Sequence, residues 1–172
     1  MILVTPLSAV LDTLRDYQPS HLVTLLSPEH MIETPEGFPG ERHLRLGLND
    51  VADPAVGVAP PEVRHIAQLI DFSREWDGSA PLLIHCWAGV SRSMAAAFTV
   101  MCDRFGPGSE SDIAREMRLR AAHAAPNRLL VRLADTALNR EGRMVRAVED
   151  MGPSRIVEEG VPVEFPLTIL TE

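Results

Sequence analysis

The sequence predicts an α/β domain with a central, mostly parallel sheet of four to five strands flanked by helices. Two observations carry this. Through the first half, short apolar runs alternate with segments of helical periodicity, the order that builds parallel strands with crossover helices. From Ser91 onward almost every segment reads as helix. A length of 172 residues suits one domain over 1–172 with its own core.

The strand candidates are "ILVT" (2–5), "HLVTLL" (21–26), "HLRLGL" (43–48) and "PLLIH" (81–85), each short, apolar and of strand length. Between the first two, "LSAVLDTLRDY" predicts a helix with Leu7, Val10, Leu11 and Leu14 on one face. The segment 27–41, "SPEHMIETPEGFPGE", reads as a mobile surface loop. "PPEVRHIAQLIDFSREW" predicts a second helix after a proline start, with Val63, Ile66, Ala67, Ile70 and Trp76 repeating along it. "SMAAAFTVMCDRF" gives a third, stopped by "GPG" at 106–108. Further helices follow a Ser109 cap, the "APN" of 125–127, and Gly142. The tail "VPVEFPLTIL" alternates, but Pro162 and Pro166 demote it to an edge strand or extended segment. Residues 151–172 otherwise remain an unassigned tail.

Composition narrows the function classes. At 45% hydrophobic and 23% charged the chain is an ordinary globular protein. A net charge of −8 argues against nucleic-acid and anionic-membrane partners. All sixteen basic residues are arginine, as a GC-rich bacterial genome produces. The start lacks a basic n-region, and no stretch reaches the ~18 uninterrupted apolar residues of a membrane helix. Two cysteines make no disulfide framework, so a cytoplasmic location is expected. The six histidines show no metal-ligand spacing, and no metal or other cofactor is expected. Nothing in the sequence sets the oligomeric state.

The most informative stretch is "PLLIHCWAGVSRS" (81–93). It runs from a buried strand, through a seven-residue turn from Cys86 to Arg92, into an alanine-rich helix. A helix N-terminus presents unpaired N–H groups and partial positive charge, so this turn is built for an anion. A cysteine there should have a lowered pKa. Arg92 adds a planar fork that matches two phosphate oxygens. Gly89 lets the backbone turn its amides inward. Together these predict a phosphate-binding nucleophile acting through a thiophosphate. The "GK[ST]" of nucleotide-binding loops is absent.

"HCWAGVSRS" resembles the signature of the cysteine-dependent protein tyrosine phosphatase superfamily, His-Cys-five residues-Arg-Ser/Thr. Its Ala-Gly-x-Ser-Arg-Ser form is most similar to the compact dual-specificity branch. A looser resemblance in strand order and trailing helices spans residues 1 to 150. The resemblance implies a phosphomonoester hydrolase acting on phosphotyrosine or mixed phosphoprotein substrates. Cys86 would be the nucleophile and Arg92 the phosphate clamp. Ser93 would hydrogen-bond the thiolate. His85 would steady the loop and help keep the cysteine ionised. The backbone of Trp87, Ala88, Gly89, Val90, Ser91 and Arg92 would hold the phosphate. Trp87 reads equally as a substrate-side aromatic or a lid on the loop.

The family also implies an aspartate on another loop as general acid. "NDVADPAVGVAPPE" offers Asp50 and Asp53. Asp50 directly follows the strand and is preferred. Asp53, before Pro54, is the alternative general acid and also a good turn residue. Cys102 lies eleven residues past Ser91, roughly 16 Å along the helix, so it is assigned to the core and an 86–102 disulfide is not expected. Arg115, Arg118 and Arg120 read as a solvated helix face. "APNRLLVRL" reads as the start of a packing helix whose Asn127 or Arg128 could approach the loop.

Phosphoinositide-directed relatives usually carry lysines in the loop, and this chain has none. The substrate expected is a phosphorylated protein or a small phosphomonoester. The alternative is a catalytically impaired phosphate- or phosphopeptide-binding module.

Overall fold

The computed structural model describes residues 1–55 and 57–168. Five strands form one sheet: β1 (Ile2–Pro6), β2 (His21–Leu26), β3 (His43–Gly47), β4 (Leu82–Cys86) and β5 (Val163–Phe165). Their spatial order is β3-β2-β4-β1-β5. The first four are parallel and β5 runs antiparallel along β1 at the edge. All four predicted strands form. The tail supplies the fifth, at an edge where flanking prolines cost no central ladder bond. Residues 169–170 of the tail's alternating run lie outside the described residues.

Six α-helices accompany the sheet: α1 (Val10–Tyr17), α2 (Val63–Glu75), α3 (Arg92–Phe105), α4 (Glu110–Arg120), α5 (Arg128–Ala137) and α6 (Arg143–Asp150). The two-residue period of the strands sorts their side chains. Ile2, Val4, Val23, Leu25, Leu82 and Ile84 join the main core with residues of α2 to α6. Leu3, Leu22 and Leu83 face the other way and pack with Val10, Leu7 and Leu14 of the α1 region. One side of the sheet is therefore thickly covered and the other is closed by a single short helix.

Local details depart from the sequence patterns. A 3-10 turn over Leu7–Ala9 precedes α1 and changes its phase, so Val10 and Thr13 are buried while Leu11 is 70% exposed. On α2 the buried face is His65, Ile66, Leu69, Ile70 and Ser73, and Val63 in the first turn is exposed. Ser109 does not accept an N-cap bond; its hydroxyl donates to the Gly106 carbonyl, and the Gly108 N–H donates to Glu110. The segment 27–41 holds one 3-10 turn, Pro28–His30, and a second, Gly40–Arg42, closes it before β3. Arg118 is not on a solvated face: its guanidinium donates to the carbonyls of Met151, Ala121, Ala122 and Gly152. That partial burial lowers its pKa.

β4 lies between β1 and β2, so its C-terminal end opens into the crevice where parallel sheets place their ligand sites. Among the described residues no helix is long and apolar enough to cross a membrane.

Candidate active site

Cys86 is the last residue of β4, and Arg92 opens α3. The turn between them is held from outside through its carbonyls. The Trp87 carbonyl accepts from Leu7 N–H (3.0 Å), Ala88 from Gly160 (2.8 Å), Val90 from Ala125 (2.9 Å) and Ser91 from Asn127 (3.3 Å). Across a trans peptide the next residue's N–H points opposite to the carbonyl. Pinning these oxygens outward therefore turns the amides of Ala88, Gly89, Ser91 and Arg92 toward the loop interior, where α3 adds the free N–H groups of its first turn. Gly89 has φ of +69°, and a Cβ there would lie 2.7 Å from the Pro6 nitrogen. Only glycine lets the loop sit this close to β1.

Within that ring, Cys86 Sγ lies 3.1 Å from Ser93 Oγ, as expected for a hydroxyl that hydrogen-bonds the sulfur. Arg92 is only 7% exposed, and its Nη1 donates to the Leu48 carbonyl at 3.0 Å. Its Nε has no partner among the described residues. A buried guanidinium donor left open costs free energy unless an acceptor completes it. An oxyanion inside the loop would do so.

His85 alternates to the opposite sheet face. There the rank Leu22–Leu83–Leu3 is followed by Thr24–His85–Thr5. His85 Nδ1 faces the Cys86 carbonyl at 3.4 Å, and Nε2 lies 2.7 Å from Thr24 Oγ1. Thr24 Oγ1 is 2.8 Å from His43 Nε2, and His43 Nδ1 is 2.9 Å from Thr34 Oγ1. A carbonyl can only accept, so Nδ1 of His85 carries the proton and the remaining roles follow. Thr34 O–H donates to His43, His43 to Thr24, Thr24 to His85, and His85 to the Cys86 carbonyl. Burial pushes both imidazoles down to about 4, so at neutral pH His85 supports the loop through hydrogen bonds, not through charge.

The two aspartates part company. Asp50 meets the loop itself: its Oδ1 accepts from Ser91 Oγ and from Asn127 Nδ2, both at 2.7 Å. Its Oδ2 accepts from no donor among the described residues. Asp53 accepts from the Ala55 N–H at 2.9 Å, closing an Asx turn. Asn127 is the residue that sequence reasoning underrated. Its Oδ1 caps α5 by accepting from Leu129 and Leu130 N–H, while Nδ2 holds Asp50 and the Val51 carbonyl. The Asn of "APN" before an apolar helix announces the cap; its approach to the loop is expected, but not that it holds Asp50 and Val51 there. Arg132, one turn along, donates to the Ala52 carbonyl.

Trp87 is 54% exposed at the rim and meets His30 edge-on at 5.5 Å. Cys102 is fully buried in α3, and burial raises its thiol pKa. Among the described residues no group of three or more His, Cys, Asp or Glu side chains could hold a metal ion.

No family model and no curated protein matches the chain. Solved structures do. DUSP15 superposes with a TM-score of 0.58 at 19% identity, covering 89% of this chain and 94% of that one. A human tyrosine phosphatase-like serine/threonine/tyrosine-interacting protein gives 0.60 at 20%, over 79% and 89%. PTPMT1, solved in complex with PI(5)P, gives 0.60 at 16%, over 86% and 94%. The chain therefore shares its overall fold with these three solved structures, over most of its own length and theirs.

Proposed function

We propose that the protein is a cysteine-dependent phosphatase that hydrolyses phosphomonoesters on proteins, on tyrosine or on tyrosine and serine/threonine alike. The observation that carries this reading is the convergence on one loop of Cys86 Sγ, the open Nε of Arg92 and the carboxylate of Asp50. Substrate phosphate sits in the ring of amides with two oxygens on Arg92. The Cys86 thiolate attacks phosphorus, and the bond to the leaving oxygen breaks with its electron pair. Asp50 supplies the proton that oxygen needs. Because both hydrogen bonds end on Oδ1, Oδ2 is the atom free to carry it. Water then attacks the thiophosphate, its proton passes to Asp50, and the P–S bond breaks to return the thiolate. Ser93 O–H steadies that thiolate as it leaves.

The same aspartate favours turnover over the binding-module alternative, which lacks an acid at the loop. A lipid headgroup, as in the PI(5)P-bound neighbour, is less suited to a loop whose variable positions are Trp87 and Val90 in a chain without lysine. The test is hydrolysis of p-nitrophenyl phosphate in the presence of a chelator. Turnover is expected in the wild type and is abolished in Cys86→Ser. Turnover that survives Cys86→Ser overturns the mechanism.

A further inference from the structure

The carbonyls that hold the signature loop are not all held from the same part of the fold. Those of Trp87, Val90 and Ser91 accept from Leu7, Ala125 and Asn127, at the end of β1 and in the connection before α5. The Ala88 carbonyl accepts instead from Gly160, in the segment 151–162 that crosses from α6 to β5. Ala88 also precedes Gly89, the one residue from Cys86 to Arg92 with positive φ. Turning the 88–89 peptide over needs rotation only at ψ of Ala88 and φ of Gly89, and glycine accepts φ of either sign. Turned over, the peptide replaces the inward Gly89 N–H with a carbonyl oxygen that faces the phosphate site.

The segment that supplies this clip is itself seated along its length. Arg118 donates to the Met151 and Gly152 carbonyls, the Arg155 N–H donates to the Ala122 carbonyl at 2.8 Å, and Ser8 Oγ donates to Glu159 at 2.7 Å. Gly160 is buried, although Glu158, Glu159, Val161 and Pro162 around it are exposed. A Cβ on Gly160 would lie 2.6 Å from His123 Nε2 and 3.2 Å from the Ala88 oxygen. His123 is itself buried, and this Nε2 has no partner among the described residues. An unpaired buried nitrogen costs free energy, and the fold bears that cost where the imidazole backs Gly160 against the loop.

We infer that Gly160 is a positioning residue for the reaction: its N–H, backed by His123, holds the 88–89 peptide with the Gly89 N–H toward the phosphate site. The C-terminal segment thereby sets the loop's affinity for an oxyanion. The inference rests on the phosphatase reading for its ligand. A peptide free to turn divides the protein into competent and incompetent forms, and the apparent affinity falls by the competent fraction. Bound oxyanion selects the competent form, so the chemical step is spared. Losing one neutral hydrogen bond shifts such an equilibrium about two- to twelvefold.

The experiment compares the full chain as wild type, as Gly160→Ala, and as Gly160→Ala combined with His123→Ala. In Gly160→Ala the methyl meets His123, drives the segment outward and breaks the clip. The NOE between Ala88 Hα and the Gly89 amide proton should change in strength, because that distance follows ψ of Ala88. The Kd for tungstate, by calorimetry, and the KM for p-nitrophenyl phosphate should both rise about three- to tenfold while kcat stays within about twofold. Removing the His123 ring makes room for the methyl, so the double variant should regain the wild-type NOE and affinity. A merely damaged protein would lose kcat and gain nothing from a second truncation. An unchanged NOE, an altered NOE with unchanged tungstate affinity, or a fall in kcat without a rise in KM overturns the inference and leaves the phosphatase reading intact. If Gly160→Ala does not fold, Arg155→Pro removes the exposed donor to Ala122 and is read by the same three measurements. A wild type that neither binds tungstate nor hydrolyses the ester ends the phosphatase reading. The NOE then decides the clip alone: altered in Gly160→Ala and restored in the double variant it stands, and unaltered it falls.

Discussion

The loop that carries Cys86 and the loop that carries Asp50 are built in opposite ways. The first is pinned through its backbone by β1's end, by Gly160 of the tail and by the approach to α5. The second closes largely on itself, with Asn49 donating to the Val58 carbonyl and accepting through its own from Val51. It is tied to the rest of the site by four side chains, Ser91, Arg92, Asn127 and Arg132. The surroundings of the proposed nucleophile are thus a property of the fold, while the position of the proposed acid depends on a few side-chain bonds. Substitutions should injure the two halves of the mechanism differently.

The sharpest break is at the acid. Asp50→Asn keeps the shape of the side chain but removes the transferable proton, and kcat on aryl phosphates with poor leaving groups should fall ~10²–10⁴-fold. The loss should shrink as the leaving group becomes more acidic and needs no proton. Asp53→Asn disturbs an exposed Asx turn and should stay within about twofold. A reversed pattern in the two variants would move the acid to Asp53.

A smaller break separates placement from chemistry. Asn127→Ser retains an oxygen able to cap α5 but loses the Nδ2 donor to Asp50 and Val51. The cap is kept, so thermal stability should change little. A hydrogen bond to a charged group is worth about 1.5–3 kcal/mol, and kcat for poor leaving groups should drop at least tenfold. Equal loss for good and poor leaving groups would show that Asn127 serves the loop in general and not the acid.

How much of this was legible in the sequence follows the same division. Local chemistry in contiguous residues was readable: strands by apolar runs, α3 by its alanines, Cys86 and Arg92 by spacing, and Gly89 as the turn's necessary glycine, which the contact with Pro6 explains. Asp50 was placed only by following a strand. What ties Asp50, and not Asp53, to the loop is a bond to Ser91, 41 residues away, and another to Asn127, 77 residues away. No local pattern encodes such a pairing. The tail was equally opaque: Gly160 reaches the Ala88 carbonyl through a segment whose alternation shows an edge strand but not what lies on the way. Helix faces differ from the sequence pattern at Leu11, where a 3-10 turn shifts the phase, and at Val63, the first residue of α2, which faces solvent.

The smallest expected effect on rate lies behind the signature loop, in the hydrogen-bond line from Thr34 to the Cys86 carbonyl. Thr24→Val keeps the shape of the middle residue and removes its hydroxyl, leaving His85 Nε2 without a donor and His43 Nε2–H without an acceptor. Unsatisfied buried groups cost about 1–3 kcal/mol, while the rate should fall only about two- to fivefold, because Cys86, Arg92 and Asp50 are untouched. Nitrogen NMR shifts should report the Nδ1–H tautomer for His85 and Nε2–H for His43 in the wild type, and lose that definition in Thr24→Val. The opposite tautomer at His85 in the wild type would break the line at its catalytic end. The line also sets a pH dependence. The unfolded chain protonates His85 near 6.5, the folded one near 4, so the unfolded state binds more protons between these values. Stability is then full above pH 6.5 and declines as the pH falls toward 4, by about 3 kcal/mol from this histidine. Urea midpoints should fall through that window and fall less steeply in His85→Gln. Equal slopes would mean that His85 titrates alike in the folded and unfolded chains and that burial does not hold it neutral.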